Sequence, residues 1–193
     1  MIYIIGVDHL VQYNGPVPEH LRLQFVKYLV EIIQKLKVNL IAEEFSRESL
    51  ADVYGAAECS AVNAAAQCGI EHRYCDPEEK ERKELGIPYY FDVMENVKRK
   101  YNIQEKLIID NDLRKRIEDE TGSIVKSFWD IRERFWVDKI RDMIDENIIF
   151  ICGHEHAERL SKHLNDLGRT NVIIDPFWRK DIFGNYNNIG LSI

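Results

Sequence analysis

The residues of this chain with the greatest capacity for chemistry follow short apolar segments. In "IIFICGHEHAERL", residues 148–160, an apolar run ends at a glycine that is followed by His154 and His156. The N-terminal segment "IIGVDH" has a similar composition and ends at His9. Imidazole nitrogens combine with carboxylates in protein sites for zinc, manganese and cobalt. The pattern therefore raises the question of whether folding brings these histidines together beside an acid.

A candidate acid follows another apolar segment. "VNLIAEE" ends at two adjacent glutamates, Glu43 and Glu44. Successive side chains of an extended strand point to opposite faces, so we expect one of the two to face the site. The sequence leaves open which one it is.

Five short segments predict the strands of one sheet. They cover residues 2–7, 38–43, 70–75, 147–152 and 171–175, and they alternate with segments of helical periodicity. The first, second and fourth are apolar almost throughout, which is typical of parallel strands covered on both faces. We predict an α/β protein with a mainly parallel sheet, helices on both faces and right-handed crossovers.

Parallel strands place their carboxyl ends at one edge of the sheet, which is where ligands bind in such folds. The charged residues at the predicted strand ends are Asp8, His9, Glu43, Glu44, Asp76, His154, Glu155, His156 and Asp175. A catalytic metal site needs about three protein ligands and a position for water. The candidate ligands are therefore His9, His154, His156 and Glu43, with Mn²⁺, Co²⁺ or Zn²⁺ as the ion. The glutamate that is not a ligand would act as general base, and His163 is a candidate to support His156.

The segments between the strands predict helices. One begins near Pro18, a second runs from Ser46 to a terminal glycine at Gly69, and a third ends at Gly168. Residues 77–146 are charged, helical and too long for a simple crossover. We predict one domain over 1–193, in which 77–146 form a helical cap or insertion between the third and fourth strands. No element is predicted for the tail from Pro176 onwards.

Composition excludes several classes of function. The net charge of −7 and the pI of about 5.4 disfavour nucleic-acid binding, which usually requires a basic surface. The four cysteines lack the spacing of a zinc finger and fit a reducing cytoplasm. The chain has neither a signal-peptide pattern nor an apolar stretch long enough to span a membrane. We therefore expect a cytoplasmic protein without a membrane or nucleic-acid partner.

Four short sequences together resemble those of one protein group. Gly-x-x-His occurs as "GVDH" at 6–9 and as "GHEH" at 153–156, "AEE" at 42–44 supplies an acid, and "IRERFWVDKI" at 131–140 supplies arginines on a helix. This layout resembles the TraB/PrgY–TIKI group, which has the erythromycin esterase and ChaN-like proteins as distant relatives. The resemblance implies a shared cleft and a divalent-metal-dependent hydrolase, but the substrate class does not carry over. We expect a peptide or a small molecule as the substrate.

The resemblance also implies roles for particular residues. The positions carried over from the motifs are His9, His156 and either Glu43 or Glu44. The arginine of the family's Glu-Arg context corresponds to Arg134, with Arg132 as the nearby alternative, and it would stabilise a developing oxyanion.

Arg134 lies at the flank of the apolar face predicted for a helix over 124–145. That face consists of Ile124, Phe128, Ile131, Phe135 and Ile140. From this flank we expect Arg134 to point over the edge of the sheet. The aromatic residues of the same helix, Phe128, Trp129, Phe135 and Trp136, fit either the core or a self-association face, which leaves a homo-oligomer open.

Three alternatives use the same residues. The first is a non-catalytic module that binds an anion through Arg132, Arg134 and the histidines. The second is a calcineurin-like phosphoesterase, suggested by "GHEH", although the Asp-x-His and Gly-Asn-His motifs of that class are missing. The third is an interaction domain in which the polar strand ends have no chemical role.

Overall fold

The computed structural model describes residues 1–13, 17–53, 55, 58–103 and 111–181. The strands are β1 (Ile2–Val7), β2 (Leu40–Glu43), β3 (Glu71–Tyr74), β4 (Ile148–Gly153) and β5 (Asn171–Asp175). The α-helices are α1 (Glu19–Leu36), α2 (Ser60–Cys68), α3 (Glu79–Leu85), α4 (Tyr90–Lys100), α5 (Asn111–Lys126), α6 (Trp129–Lys139) and α7 (Ala157–Asp166). The tail beyond residue 181 lies outside the described residues.

The protein has an α/β fold with one five-stranded parallel sheet, as predicted. The strand order is β3-β2-β4-β1-β5, and each predicted strand segment coincides with an observed strand to within two residues. β4 pairs with β1 on one side and with β2 on the other. The carboxyl end of β4 therefore lies between the ends of the two strands that carry the other candidate residues.

The strand side chains divide between two hydrophobic clusters. Ile41, Ile149 and Ile151 pack with buried residues of α1 and α2, whereas Leu40, Ile148 and Phe150 pack with buried residues of α6 and α7. The alternation follows from the strand geometry, because successive side chains point to opposite sides. It explains why these strands are apolar at almost every position.

The helices that follow β1 and β2 agree only in part with the prediction. α1 begins directly after Pro18 and buries an apolar stripe, as its periodicity predicts. α2 ends at Gly69, whose φ of 65° favours glycine. The single helix predicted from Ser46 to Gly69 is wrong, because a π-helical turn at Ser49–Val53 and α2 are separate elements. Ser46 does cap a turn, since its Oγ accepts a hydrogen bond from the Ser49 N–H.

The chain forms two compact units. One comprises Met1–Glu78 and Glu133–Ile193 and contains the sheet, and the other comprises Glu79–Arg132. In the second unit, α4 and α5 pack through Val93, Val97 and Ile117. The helical segment predicted over 77–146 is thus divided, and its part from residue 133 onwards belongs to the unit of the sheet.

The predicted apolar face of a helix over 124–145 is wrong. Two helices replace it, because α5 ends at Lys126 and α6 starts at Trp129. α6 buries a face other than the predicted one, so that Ile131 is 38% exposed whereas Glu133 and Trp136 are fully buried. Trp136 packs in the core and donates a hydrogen bond from Nε1 to the Asp76 carboxylate at 3.0 Å.

The packing of α1 provides a test of the sheet's hydrophobic core. Leu29 is fully buried, whereas Leu23 on the same helix is 60% exposed. Leu29→Ala should lower the free energy of unfolding by about 2–5 kcal/mol, because it leaves a cavity. Leu23→Ala is the matched control and should change it by less than about 0.5 kcal/mol. Urea denaturation measures both, and equal losses would contradict this packing.

Candidate functional site

The site is built at the carboxyl edge of the sheet, from the residues that follow β1, β2 and β4. After β1 the chain enters a short 3-10 turn, and Asp8 caps this turn by accepting a hydrogen bond from the Leu10 N–H at 2.9 Å. His9 is the first residue of the turn. His156 ends a similar turn after β4 and directly precedes α7. Both histidines therefore leave the sheet at adjacent strand ends.

Glu44 lies between these two histidines. It is 4% exposed, and one carboxylate oxygen accepts a hydrogen bond from the Gly153 N–H at 2.7 Å. Its other oxygen is 3.5 Å from His156 Nε2 and 3.9 Å from His9 Nε2. A Cβ atom on Gly153 would lie 3.0 Å from His9 Nε2, so the absence of a side chain here relieves crowding against the His9 ring. The structure thus brings together His9, Glu44 and His156.

A second carboxylate, Glu133, supports His156 from the side opposite Glu44. Glu133 is fully buried and lies 2.7 Å from His156 Nδ1, 2.8 Å from Arg159 Nε and 3.0 Å from His163 Nε2. Burial acts to raise the pKa of Glu133, but the hydrogen bonds from His156 and Arg159 outweigh it, and the net pKa is lowered. Glu133 is therefore a buried carboxylate that orients His156. His163 binds the other oxygen of the same carboxylate.

Glu43 is the centre of a separate cluster. It is fully buried and accepts hydrogen bonds from Cys59 Sγ at 2.6 Å, His72 Nε2 at 2.7 Å and Gln12 Nε2 at 3.2 Å. Burial and then the charge of Glu43 raise the pKa of the Cys59 thiol, so this residue is a protonated thiol at neutral pH. Tyr74 completes the cluster, with its hydroxyl 3.9 Å from Cys59 Sγ.

Gln12 joins the two glutamate clusters. Its amide nitrogen donates to Glu43, and its amide oxygen lies 2.7 Å from His9 Nδ1. A continuous chain of polar side chains therefore crosses the edge of the sheet. In order, its members are His72, Glu43, Gln12, His9, Glu44, His156, Glu133 and His163.

The geometry favours a different set of metal ligands from the predicted one. Within the described part of the chain, Glu43, Cys59 and His72 form a group whose ligand atoms all lie within 4.8 Å of one another. Of the predicted ligands this group contains Glu43 alone. His154 takes no part in it, because its ring is stacked on Phe177 with the centroids 4.0 Å apart.

The orientation expected for Arg134 stays a prediction. Arg134 is exposed on α6, and the residue before it, Glu133, is the one that reaches the site. Arg132 belongs to the other compact unit and is half-buried there. Glu133 reaches the site because it shares the buried face of α6 with Trp136 and Val137. That apolar spacing is a signal in the sequence that identifies Glu133.

Cys59 and His72 were missed for other reasons. His72 lies within a strand, and its place beside Glu43 becomes visible only once the pairing of β3 with β2 is known. Cys59 immediately precedes α2, away from any strand end. No short motif connects the two residues, so their proximity is a product of the tertiary fold.

No family model, curated protein or solved structure matches this chain. The resemblance to the TraB/PrgY–TIKI group therefore stays a prediction from its motifs. None of the helices in the described ranges has both the length and the apolar composition that crossing a bilayer requires.

The buried carboxylate Glu133 generates a prediction with a defined pH dependence. Because the pKa of Glu133 is lowered in the folded protein, its ionised form stabilises the fold above the unfolded-state pKa, and this contribution is lost as the pH falls through the folded-state pKa. Glu133→Gln should lower the free energy of unfolding by about 1–3 kcal/mol at neutral pH. The difference from the parent protein should shrink as the pH is lowered towards about 3.

Glu31→Gln is the matched control for this experiment. Glu31 lies on α1, is 65% exposed and pairs with Lys27 across one helical turn. Such exposed pairs contribute little, so this variant should follow the parent protein within about 0.5 kcal/mol at every pH. Urea denaturation across the pH range distinguishes the two variants. A deficit for Glu133→Gln that stays constant with pH would contradict the assigned ionisation.

Proposed function

We propose that the protein is a divalent-metal-dependent hydrolase whose ion is held by Glu43, Cys59 and His72. The observation that carries this proposal is the convergence of one carboxylate oxygen, one thiol sulfur and one imidazole nitrogen within 4.8 Å of one another. All three side chains are mostly removed from solvent. Three protein ligands with a further position for water are typical of catalytic zinc sites.

The donor atoms fit a divalent ion in the borderline-soft class. A thiolate and an imidazole favour Zn²⁺ or Co²⁺ over Mn²⁺, which prefers oxygen ligands. In the protein without an ion, the Cys59 thiol and the His72 ring both donate to the same oxygen of Glu43. An ion would replace these two donors, and the thiol would lose its proton on binding. Glu43 is therefore stabilised by hydrogen bonds in the metal-free protein and by the ion after metal binding.

The neighbouring cluster supplies groups that can transfer protons. Glu44 is a buried carboxylate held by the Gly153 N–H, and His156 Nε2 lies 3.5 Å from it. Glu133 occupies Nδ1 of His156 and so leaves Nε2 as the nitrogen available for acid–base chemistry. Glu44 is our candidate for the general base, and the pair of His156 and Glu133 is our candidate for the general acid.

A bound ion would act as a Lewis acid on a scissile carbonyl and would lower the pKa of water. The substrate is a peptide or a small ester or amide. The four cysteines are free thiols, which fits a reducing compartment, so a cytoplasmic location belongs to this proposal.

Cobalt binding tests the assigned ligands directly. A thiolate bound to Co²⁺ gives a charge-transfer absorption in the near ultraviolet, which we expect for the parent protein. Cys59→Ser should abolish this band and weaken Co²⁺ binding by at least about 100-fold. The loss of a ligand should exceed the effect of substituting a residue that only hydrogen-bonds to a ligand, which weakens metal binding by up to about 100-fold. Cys68→Ser is the matched control, because Cys68 is a free thiol outside the cluster. A band that survives in Cys59→Ser would contradict the site.

Turnover tests the role of Glu44 separately. With Zn²⁺ or Co²⁺ present, the parent protein should hydrolyse an activated ester such as p-nitrophenyl acetate. Glu44→Gln should lower this rate by about 100-fold or more while it retains metal, because general-base catalysis contributes that much. Glu155→Gln removes an exposed glutamate from the same edge of the sheet and should retain activity. Equal rates for the two variants would exclude Glu44 as the base.

A further inference from the structure

A cavity beside the Glu43 cluster has no role in the chemistry described above. Its volume is about 260 Å³, close to the lower end of the range for small-molecule sites. It lies between the turn that follows β1, the first half of α1 and the start of α2. The described residues that line it are Gln12, Tyr13, Arg22, Leu23, Val26, Glu58, Cys59, Ser60 and Asn63.

The wall of this cavity contains an unsatisfied cationic donor. The Nε atom of Arg22 is buried and has no hydrogen-bond partner among the residues that the structure describes. A buried donor without a partner is costly, most of all when it carries charge, and native proteins rarely retain one without a reason. The planar guanidinium group is suited to bind a carboxylate through two parallel hydrogen bonds. Arg22 is therefore positioned to receive an anionic group in this cavity.

The cavity extends to the proposed metal ligands. Cys59 lines it and is itself one of those ligands, and Gln12 lines it and donates to Glu43. A molecule in the cavity would thus have Arg22 on one wall and the Glu43 cluster behind another. Apolar side chains, Leu23 and Val26, lie beside Arg22 on α1.

We propose that this cavity binds the carboxylate of a small monoanion with an apolar body, and that Arg22 is the residue that recognises it. The carboxylate pairs with the Arg22 guanidinium, and the apolar body packs on Leu23 and Val26. The acidic residues around the cavity, Glu58 in its wall and Glu43 behind it, disfavour a doubly charged anion such as hydrogen phosphate. If the bound molecule is the substrate, it carries a carboxylate and lies beside the ion. This part of the inference rests on the proposed function.

The test measures binding in metal-free protein, so that it does not depend on catalysis. Butyrate is titrated into the full chain and followed by ligand-detected NMR, with butyramide as its neutral counterpart and inorganic phosphate as the dianion. We expect butyrate to bind and the other two to bind at least about tenfold more weakly, since the amide lacks the charge-assisted pair. Arg22→Gln should weaken butyrate binding by about tenfold or more without lowering the melting temperature, because it removes a buried donor that has no partner in the free protein.

Lys27→Gln is the matched control, because Lys27 lies on the same helix with its side chain 79% exposed and is absent from the lining of the cavity. It removes one positive charge from α1 and should leave butyrate binding unchanged. Equal weakening in Arg22→Gln and Lys27→Gln would overturn the proposal, as would equal binding of butyrate and butyramide or tighter binding of phosphate.

This experiment is independent of the cobalt experiment. Butyrate binding that depends on Arg22, in a protein that gives no thiolate-to-cobalt band, would retain the carboxylate site and reject the metal-dependent hydrolase. The thiolate-to-cobalt band without butyrate binding would retain the metal site and reject the carboxylate site.

Discussion

The burial of two adjacent carboxylates at the end of β2 is the constraint on which the rest of the site depends. Glu43 and Glu44 are 0% and 4% exposed, and a buried carboxylate is stable only where donors or cations replace its water. Their partners form two separate sets, which Gln12 connects. Glu43 has Cys59, His72 and Gln12, whereas Glu44 has a backbone N–H and two imidazoles. The partners come from β3, the start of α2 and the turns that follow β1 and β4, so the whole edge of the sheet is organised around one dipeptide.

The strand order explains how one dipeptide can reach so many elements. β4 lies between β2 and β1, so the turn after β4 is adjacent to Glu44 and the turn after β1 is adjacent to β4. Gly153 has no side chain, which lets His9 approach across the end of β4 and lets the Gly153 N–H reach Glu44. β3 pairs with the other side of β2 and contributes His72 to Glu43. A sheet with a different order would leave at least one of the two carboxylates without its partners.

The sequence predicted those parts of the structure that depend on local periodicity. The strand segments, the stripe of α1 and the terminal glycine of α2 each follow from the chemistry of a few consecutive residues. The convergence of His9, Glu44 and His156 could be inferred because parallel strands end at one edge. Cys59 and His72 could not be inferred, since their contact with Glu43 depends on which strands are neighbours. The resemblance pointed to Arg134, whereas the signal for Glu133 is its spacing from the buried Trp136 and Val137 on α6.

The hydrogen-bond chain also determines which nitrogen of each central histidine faces Glu44. Glu43 can only accept, so Gln12 must direct its NH₂ group towards it and its oxygen towards His9, which requires a proton on His9 Nδ1. Glu133 likewise requires a proton on His156 Nδ1. Both rings therefore present Nε2 to the same carboxylate, at 3.9 and 3.5 Å. Glu43 and Glu133, which lie one position from the two ends of this hydrogen-bond chain, thus determine that His9 and His156 both direct Nε2 towards Glu44.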